Sequence, residues 1–340
     1  MSTIRYLIKR ILISIPTIVG IIIITFIVSR LLPGDPVMAR LHIPFTQEMY
    51  DLEAARLGVD KPLIIQLIIF FKDALTGNWG FSHTLVPNSD VWVIINQRLP
   101  RSIEIMFITM FFSILFGIMM GKLTAARHNK QSDNVVRIIL YIVASIPAFV
   151  LALFIISSLL VANIDTLPFF SYKSPGIGDP PPITYSRIID AIIAGRFDIL
   201  IDYINHLLIP VSAMVIVQAI IIGKQTRSSY ITVLNLDYIR TAHAKGVSKK
   251  DILGKHSFKN VLPPVINIIA MGFPMVFTGT VVIEVAFELK GLGQLFHEAL
   301  LNLDYPIIVA LIFVFGVNVV IFNIIADIVL SMLDPRIILY

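Results

Sequence analysis

Residues Tyr305–Met332 read YPIIVALIFVFGVNVVIFNIIADIVLSM, a run whose only acidic or basic residue is Asp327. A helix needs roughly 20 consecutive apolar residues to cross about 30 Å of hydrocarbon, so this run can span a bilayer. Five further apolar stretches precede it: Ile11–Ser29, Ile103–Gly121, Val136–Ala162, Leu207–Gly223 and Val265–Ala286. Across the 340 residues, 56% are hydrophobic and 14% charged, against about 45–50% and 25% in soluble domains. A soluble fold of this size could not hide that much apolar surface. The expected fold is all-α and membrane-embedded, with six transmembrane helices. The first of these is not a cleaved signal peptide: it is too long, and Leu31-Leu32-Pro33-Gly34-Asp35-Pro36 follows it where a small-residue cleavage site would be needed.

Basic residues set the orientation. With the N-terminus inside, the cytoplasmic segments hold Arg5, Lys9 and Arg10, then Lys122, Arg127, Lys130 and Arg137, then the basic residues from Lys224 to Lys259, and last Arg336. These are most of the 27 basic residues, and only Asp133, Asp237, Asp251 and Asp334 oppose them there. This is the positive-inside asymmetry, and it predicts both termini inside. The net charge of +5 therefore belongs to topology, and no nucleic-acid partner is expected. The absence of cysteine excludes disulfides and thiolate metal sites. A cysteine-free, Ile-rich chain is also compatible with a thermophilic source.

The chain divides into a first transmembrane helix (1–30), an external subdomain (31–101) and a core (102–336) with an external insert at 163–205. Thr46–Leu57 and Pro62–Leu75 read as short amphipathic helices of the external subdomain. The insert contains Pro180-Pro181-Pro182, which excludes a helix there. Ile188–Ile204 is apolar in places, but Asp190, Arg196, Asp198 and Asp202 make a buried span costly. It is expected outside the membrane.

The cytoplasmic stretch 237–264 is the most informative. Helical periodicity runs to Lys245, Gly246 permits a left-handed turn, and Ser248 can cap a second helix from Lys249, with Asp251 completing a variant capping box. Pro263-Pro264 is expected to close that helix. The result is a helix–Gly–helix projection that a soluble partner can grip. A solvated basic loop obeying the positive-inside rule accounts for the same charges.

Thr241-Ala242-His243-Ala244-Lys245-Gly246, with Leu262-Pro263 downstream, resembles the EAA loop of ABC importer permeases, with Thr-Ala-His where the family pattern has Glu-Ala-Ala. Further matches run nearly end to end: Leu57-Gly58-Val59-Asp60-Lys61-Pro62-Leu63, Gly77-Asn78-Trp79-Gly80-Phe81-Ser82, Arg98-Leu99-Pro100, Thr226-Arg227-Ser228-Ser229, Gly291-Leu292-Gly293, Asp304-Tyr305-Pro306 and Leu333-Asp334-Pro335-Arg336. Together they resemble the dipeptide/oligopeptide permease family of binding-protein-dependent importers, and the Pro-rich insert is the main departure. The resemblance implies a type I importer permease in the cell membrane that pairs with a second homologous permease. It implies two ATPase subunits carrying ATP and Mg, and an extracellular solute-binding protein. It also implies that Thr241, Ala242, His243, Ala244, Lys245, Gly246, Ser248, Lys249, Lys250 and Asp251 couple to the ATPases, with Ala242 and Ala244 allowing close approach and Lys249 and Lys250 meeting acids on the partner. The implied cargo is di- or oligopeptides, with oligosaccharides the alternative in a thermophile; a carrier independent of ATP is a further alternative.

No G-x-x-x-x-G-K-[ST] run is present, so the chain is not expected to be an enzyme or to hold a cofactor. Glu284 and Asp327 fall within spans, where charge marks either a wet pathway or a structural pair. Gly117 and Gly121 form a small-x-x-x-small pair suited to close helix packing. Pro147 and Pro274 can kink their spans. Gly176-Ile177-Gly178-Asp179 mimics an intramembrane aspartyl protease motif but lies in the Pro-rich loop, and His297-Glu298 lacks the second His of a zincin, having Leu301 at that place.

Overall fold

The computed structural model describes residues 3–31, 35, 37–127, 131–164 and 167–333. Leu32-Pro33-Gly34, Pro36, Lys130 and Asp334-Pro335-Arg336 lie outside the described residues. The regular secondary structure of the described residues is helical, apart from one isolated antiparallel bridge between Phe81 and Asp90. Five helices are long and apolar enough to cross a membrane: α1 (Thr3–Leu31), α4 (Val91–Ala126), α8 (Phe197–Leu234), α11 (Phe258–Phe287) and α13 (Tyr305–Leu333).

The predicted third span differs. It is two helices, α5 (Gln131–Ala144) and α6 (Ala148–Val161), bent by 105° at the intervening residues. Pro147, at φ −56° and ψ 142°, precedes the first residue of α6. A proline offers no N–H to the preceding turn and drives its neighbour out of helical geometry. Each half is 14 residues long, about 21 Å at 1.5 Å per residue, too short to span alone. The pair makes a sixth span only as one broken element.

The Pro263-Pro264 pair also departs from expectation. It does not end a helix but lies inside α11, which also runs through Pro274. Of the first pair, the carbonyls freed four residues upstream belong to Lys259 and Asn260, which are exposed and can bond water instead.

The second and fourth spans are longer than predicted. α4 begins at Val91, inside the region read as external, and α8 begins at Phe197, inside the insert. With 38 residues, α8 is about 57 Å long, nearly twice the hydrocarbon thickness. Its first turns, with Asp198 and Asp202, therefore extend past the apolar run, in keeping with the cost of burying those charges.

α4 and α8 pack against each other along a seam of small residues. A Cβ on Gly117 would lie 2.8 Å from Ile222 Cβ, and one on Gly121 would lie 2.4 Å from Thr226 Cβ and 2.6 Å from the Gly223 carbonyl. The Gly117/Gly121 pair thus lets two backbones touch, as expected of a small-residue interface in lipid. α11 packs on α8, α13 and α4, while α1 packs on α13. Exposed Ile11, Leu12, Ile15, Ile24 and Ile27 on α1 are suited to lipid.

Outside this bundle, α2 (Gln47–Leu57) and α3 (Leu63–Thr76) match the predicted amphipathic pair. Thr46 caps α2 by accepting the Met49 N–H, and Gly58 (φ +62°) and Gly77 (φ +73°) end α2 and α3 in left-handed turns. Two further helices on the same side are α7 (Arg187–Ile193) and α12 (Leu292–Leu301).

Candidate coupling site

The projection expected on the cytoplasmic side consists of α9 (Asp237–Ala244), a turn at Lys245–Val247, α10 (Lys249–Asp251) and a π-helical segment, Ile252–His256, that leads into α11. Gly246 sits at φ +76°, and the Gly246 and Val247 amides bond back to the His243 and Ala242 carbonyls at 3.0 and 3.2 Å. A Cβ at Gly246 would meet nothing within 4 Å, so backbone conformation rather than space demands glycine there. Ser248 caps α10 by accepting the Asp251 N–H at 3.2 Å, and its hydroxyl donates to the Asp251 carboxylate. The expected capping box is thus closed through the two side chains.

Ile239, Ala242 and Ile252 are buried together, with Leu234 and Val247 against them. This small core folds the two arms onto each other. Tyr230 of α8 donates to the Leu253 carbonyl at 3.0 Å, and Asn260 of α11 donates to Tyr238 Oη at 2.7 Å. The arms are therefore fixed to the spans that carry them. Lys249 Nζ bonds the Ala126 carbonyl at 3.2 Å, at the end of α4.

One expectation changes. Ala242 is buried and faces the projection's own core, so of the two alanines only Ala244 is open to a partner. Lys249 gives one hydrogen bond to the Ala126 carbonyl, but both Lys249 and Lys250 are exposed. Thr241, His243, Ala244, Lys245, Gly246, Ser248, Lys249, Lys250 and Asp251 form the exposed crest.

Glu284 lies near the end of α11 and Asp327 near the end of α13. Glu284 is fully buried, and its carboxylate accepts the Gly293 N–H at 2.6 Å, in the first turn of α12. A carboxylate at a helix N-terminus meets unsatisfied amides and the positive end of the helix dipole. Glycine is needed at that contact, because a Cβ on Gly291 would lie 2.3 Å from Glu284 Oε2. Asp327 pairs with Arg10 and so ties α13 to α1.

The residue reasoning missed most is Asp304. It is completely buried, and its Oδ2 accepts from Ser82 Oγ (2.6 Å), Thr84 Oγ1 (3.1 Å) and the amides of His83, Thr84 and Leu85 (3.2, 3.1 and 3.1 Å). This carboxylate latches the 82–85 loop onto the start of α13. Both partners sat in quoted motifs, Phe81-Ser82 and Asp304-Tyr305-Pro306, but nothing in the sequence paired them.

The Pro-rich insert is tied down as well. Arg187 is buried, pairs with Asp179 and stacks over Tyr172 and Tyr203. Glu104 of α4 accepts from Ser186 Oγ and from the Ile188 amide. Burial pushes the Asp179 carboxyl up, but the Lys173 hydrogen bond and the nearby Arg187 charge outweigh it and hold that group below its ordinary value. The protease-like Gly176-Ile177-Gly178-Asp179 run thus contributes an ion-paired structural acid.

This architecture has known relatives. Residues 113–339 match the binding-protein-dependent transport system inner membrane component family, and residues 3–106 match the N-terminal component of such membrane proteins. The chain belongs to this family. It is 34% identical over 334 residues to the dipeptide transport system permease protein DppB of Alkalihalophilus pseudofirmus, covering 98% of both chains. It is 31% identical over 332 residues to the oligopeptide transport system permease protein AppB of Bacillus subtilis, again covering 98% of each. Among solved structures, the inward-facing MetNI methionine ABC transporter gives a TM-score of 0.52 at 13% identity, covering 71% of this chain and 97% of that one. That likeness is one of fold.

Proposed function

We propose that this chain is a permease subunit of an ATP-driven importer in the cell membrane, taking di- or oligopeptides from an external solute-binding protein. The observation that carries the reading is the end-to-end similarity to permeases named for dipeptide and oligopeptide transport. No comparable observation favours oligosaccharides. The pathway is shared with a second permease, and two ATPase subunits supply the hydrolysis, with ATP and Mg on their side.

The projection's geometry suits it to the coupling role. One arm continues α8 and the other leads into α11, so displacement of the crest moves both spans. The buried Ile239–Ala242–Ile252 contact and the Tyr230 and Asn260 hydrogen bonds make the projection stiff enough to transmit that displacement. Closure of the ATPases would then rock the spans between two openings of the pathway, a rigid-body transition. Both termini are inside on this reading, because Lys249 reaches the end of α4 that also carries Lys122 and Arg127. Glu284 and Asp327 act as structural acids, one capping α12 and the other pairing α1 with α13.

The test is reconstitution in liposomes with the second permease, the ATPases and the binding protein. Labelled dipeptide should accumulate only with ATP and only with all subunits present. Uptake that persists without the ATPases would overturn the importer reading in favour of a carrier. Uptake of an oligosaccharide in place of peptide would overturn the cargo.

A further inference from the structure

The external subdomain meets the outer ends of α1 and α13 around a cavity of about 340 Å³. Its walls include Arg30 from the end of α1, Phe70 of α3, Trp79 and His83 from the loop beyond it, and Tyr305 and Val309 of α13. Three of these residues carry a buried nitrogen without a hydrogen-bond partner: Arg30 Nε, Trp79 Nε1 and His83 Nε2. Trp79 is only 4% exposed. Indole N–H can only donate, and when buried it ordinarily finds a partner. An unmet buried donor costs a desolvation penalty that no protein group here offsets.

Most of the neighbouring polar groups are already engaged, Arg40 by charge alone, since its buried Nη1 makes no hydrogen bond. Arg40 pairs with Asp73 at 3.0 Å, the Gln66 amide donates to the Val59 and Lys61 carbonyls, and Asp35 accepts from the Val37 amide and Tyr50 Oη. The cavity therefore presents the Arg30 and Arg40 guanidiniums and two ring nitrogens, with Asp35 the one carboxylate lining an otherwise largely apolar wall. Such a set suits an oxyanion attached to an apolar body. Arg30 stands at the end of the α1 apolar run, the depth at which lipid phosphates lie. On the other face of α3, Leu63, Ile64 and Ile68 are exposed, as in a helix resting in the headgroup region. The Asp304 latch holds the backbone of His83 in place at the cavity edge.

We propose that this cavity binds a phospholipid of the outer leaflet, its phosphate held by Arg30, Trp79 and His83 and an acyl chain lying along Phe70 and Val309. The site is separate from the coupling projection, and its test needs no transport. The protein has two tryptophans, so Trp92→Phe leaves Trp79 as the sole emitter. The full-length chain with this change is titrated in mild detergent with phosphatidylglycerol brominated on its acyl chains, in parallel with inorganic phosphate. Saturable quenching of Trp79 is expected, weakened about tenfold in Arg30→Met through loss of one charged hydrogen bond and similarly weakened in His83→Leu. Inorganic phosphate should compete with the lipid. Absence of quenching, or equal quenching in both variants, overturns the proposal. A phosphate-induced change in Trp79 emission without lipid quenching assigns the cavity to a soluble anion and overturns the lipid.

Discussion

Asp304 offers the sharpest test of how the loop after α3 is held. In Asp304→Ala, five donors that converge on one carboxylate oxygen lose their acceptor. An unsatisfied buried donor costs about 1–3 kcal/mol. The two hydroxyls, of Ser82 and Thr84, can rotate to other acceptors, and Thr84 is exposed, so water repairs part of the loss. The main cost falls on the amides of His83 and Leu85, giving roughly 2–4 kcal/mol in total. Asp304→Asn keeps one acceptor oxygen without the charge and should lose about half as much. The assay is hydrogen exchange on the detergent-solubilised protein, following the His83, Thr84 and Leu85 amides. A 2–4 kcal/mol loss confined to this loop should speed their exchange by about 30- to 1,000-fold, while exchange in α8 stays unchanged. Unchanged exchange at all three amides in the Ala variant would refute the latch. Equal acceleration across α8 would show that Asp304 supports the whole bundle instead.

Gly246→Val should insert normally but lower ATP-driven uptake, since a β-branched residue at φ +76° is strained by about 1–2 kcal/mol; Gly246→Asn, which tolerates that conformation, should retain most uptake, and equal activity of the two variants would remove the turn from the mechanism. Gly121→Leu places carbon 2.4 Å from Thr226 Cβ and should lower thermal stability in detergent by about 1–3 kcal/mol or more; an unaltered melting temperature would contradict the α4–α8 seam. Glu284→Ala should destabilise α12 by about 1–2 kcal/mol, seen as protease sensitivity near Gly291, whereas a change in transport rate alone would favour a pathway role. Asp179 has a depressed folded pKa, so its contribution to docking the insert is present above the ordinary carboxylate value of about 3.9 and is lost as pH falls through the lower folded value. Proteolysis of residues 167–186 should therefore be flat from pH 5 to 8 and rise only in stronger acid; a rise near pH 6 would point to another group.

Period and hydropathy made the spans legible. Five of the six predicted runs emerged as single helices because a bilayer leaves an apolar 20-residue segment few other ways to satisfy its backbone. The sixth broke where Pro147 stands, and its kinking potential was visible although the 105° bend depended on packing. Helix ends were less legible. α4 and α8 continue past their apolar cores, and hydropathy is silent on a helix once it leaves the membrane. In the coupling projection, Gly246 and Ser248 declared themselves through local chemistry. The inward turn of Ala242 and the reach of Lys249 to Ala126 did not, since both depend on partners distant in sequence. Asp304 was hidden for the same reason, more than 200 residues separating it from the loop it holds.

The break in the third span bears on the order in which the chain enters its membrane. Neither α5 nor α6 is long enough to be stable alone across the hydrocarbon, yet both are synthesised before α8, against which each of them packs. The glycine seam that joins α4 to α8 likewise has only one side until α8 emerges. Integration of the middle of this protein is therefore expected to be deferred until α8 arrives to cover the bent pair. A chain truncated after Val161 should integrate that segment poorly, while extension through Leu234 should restore it. Equal integration of both lengths would mean that the break is no obstacle to entry and arises only on packing.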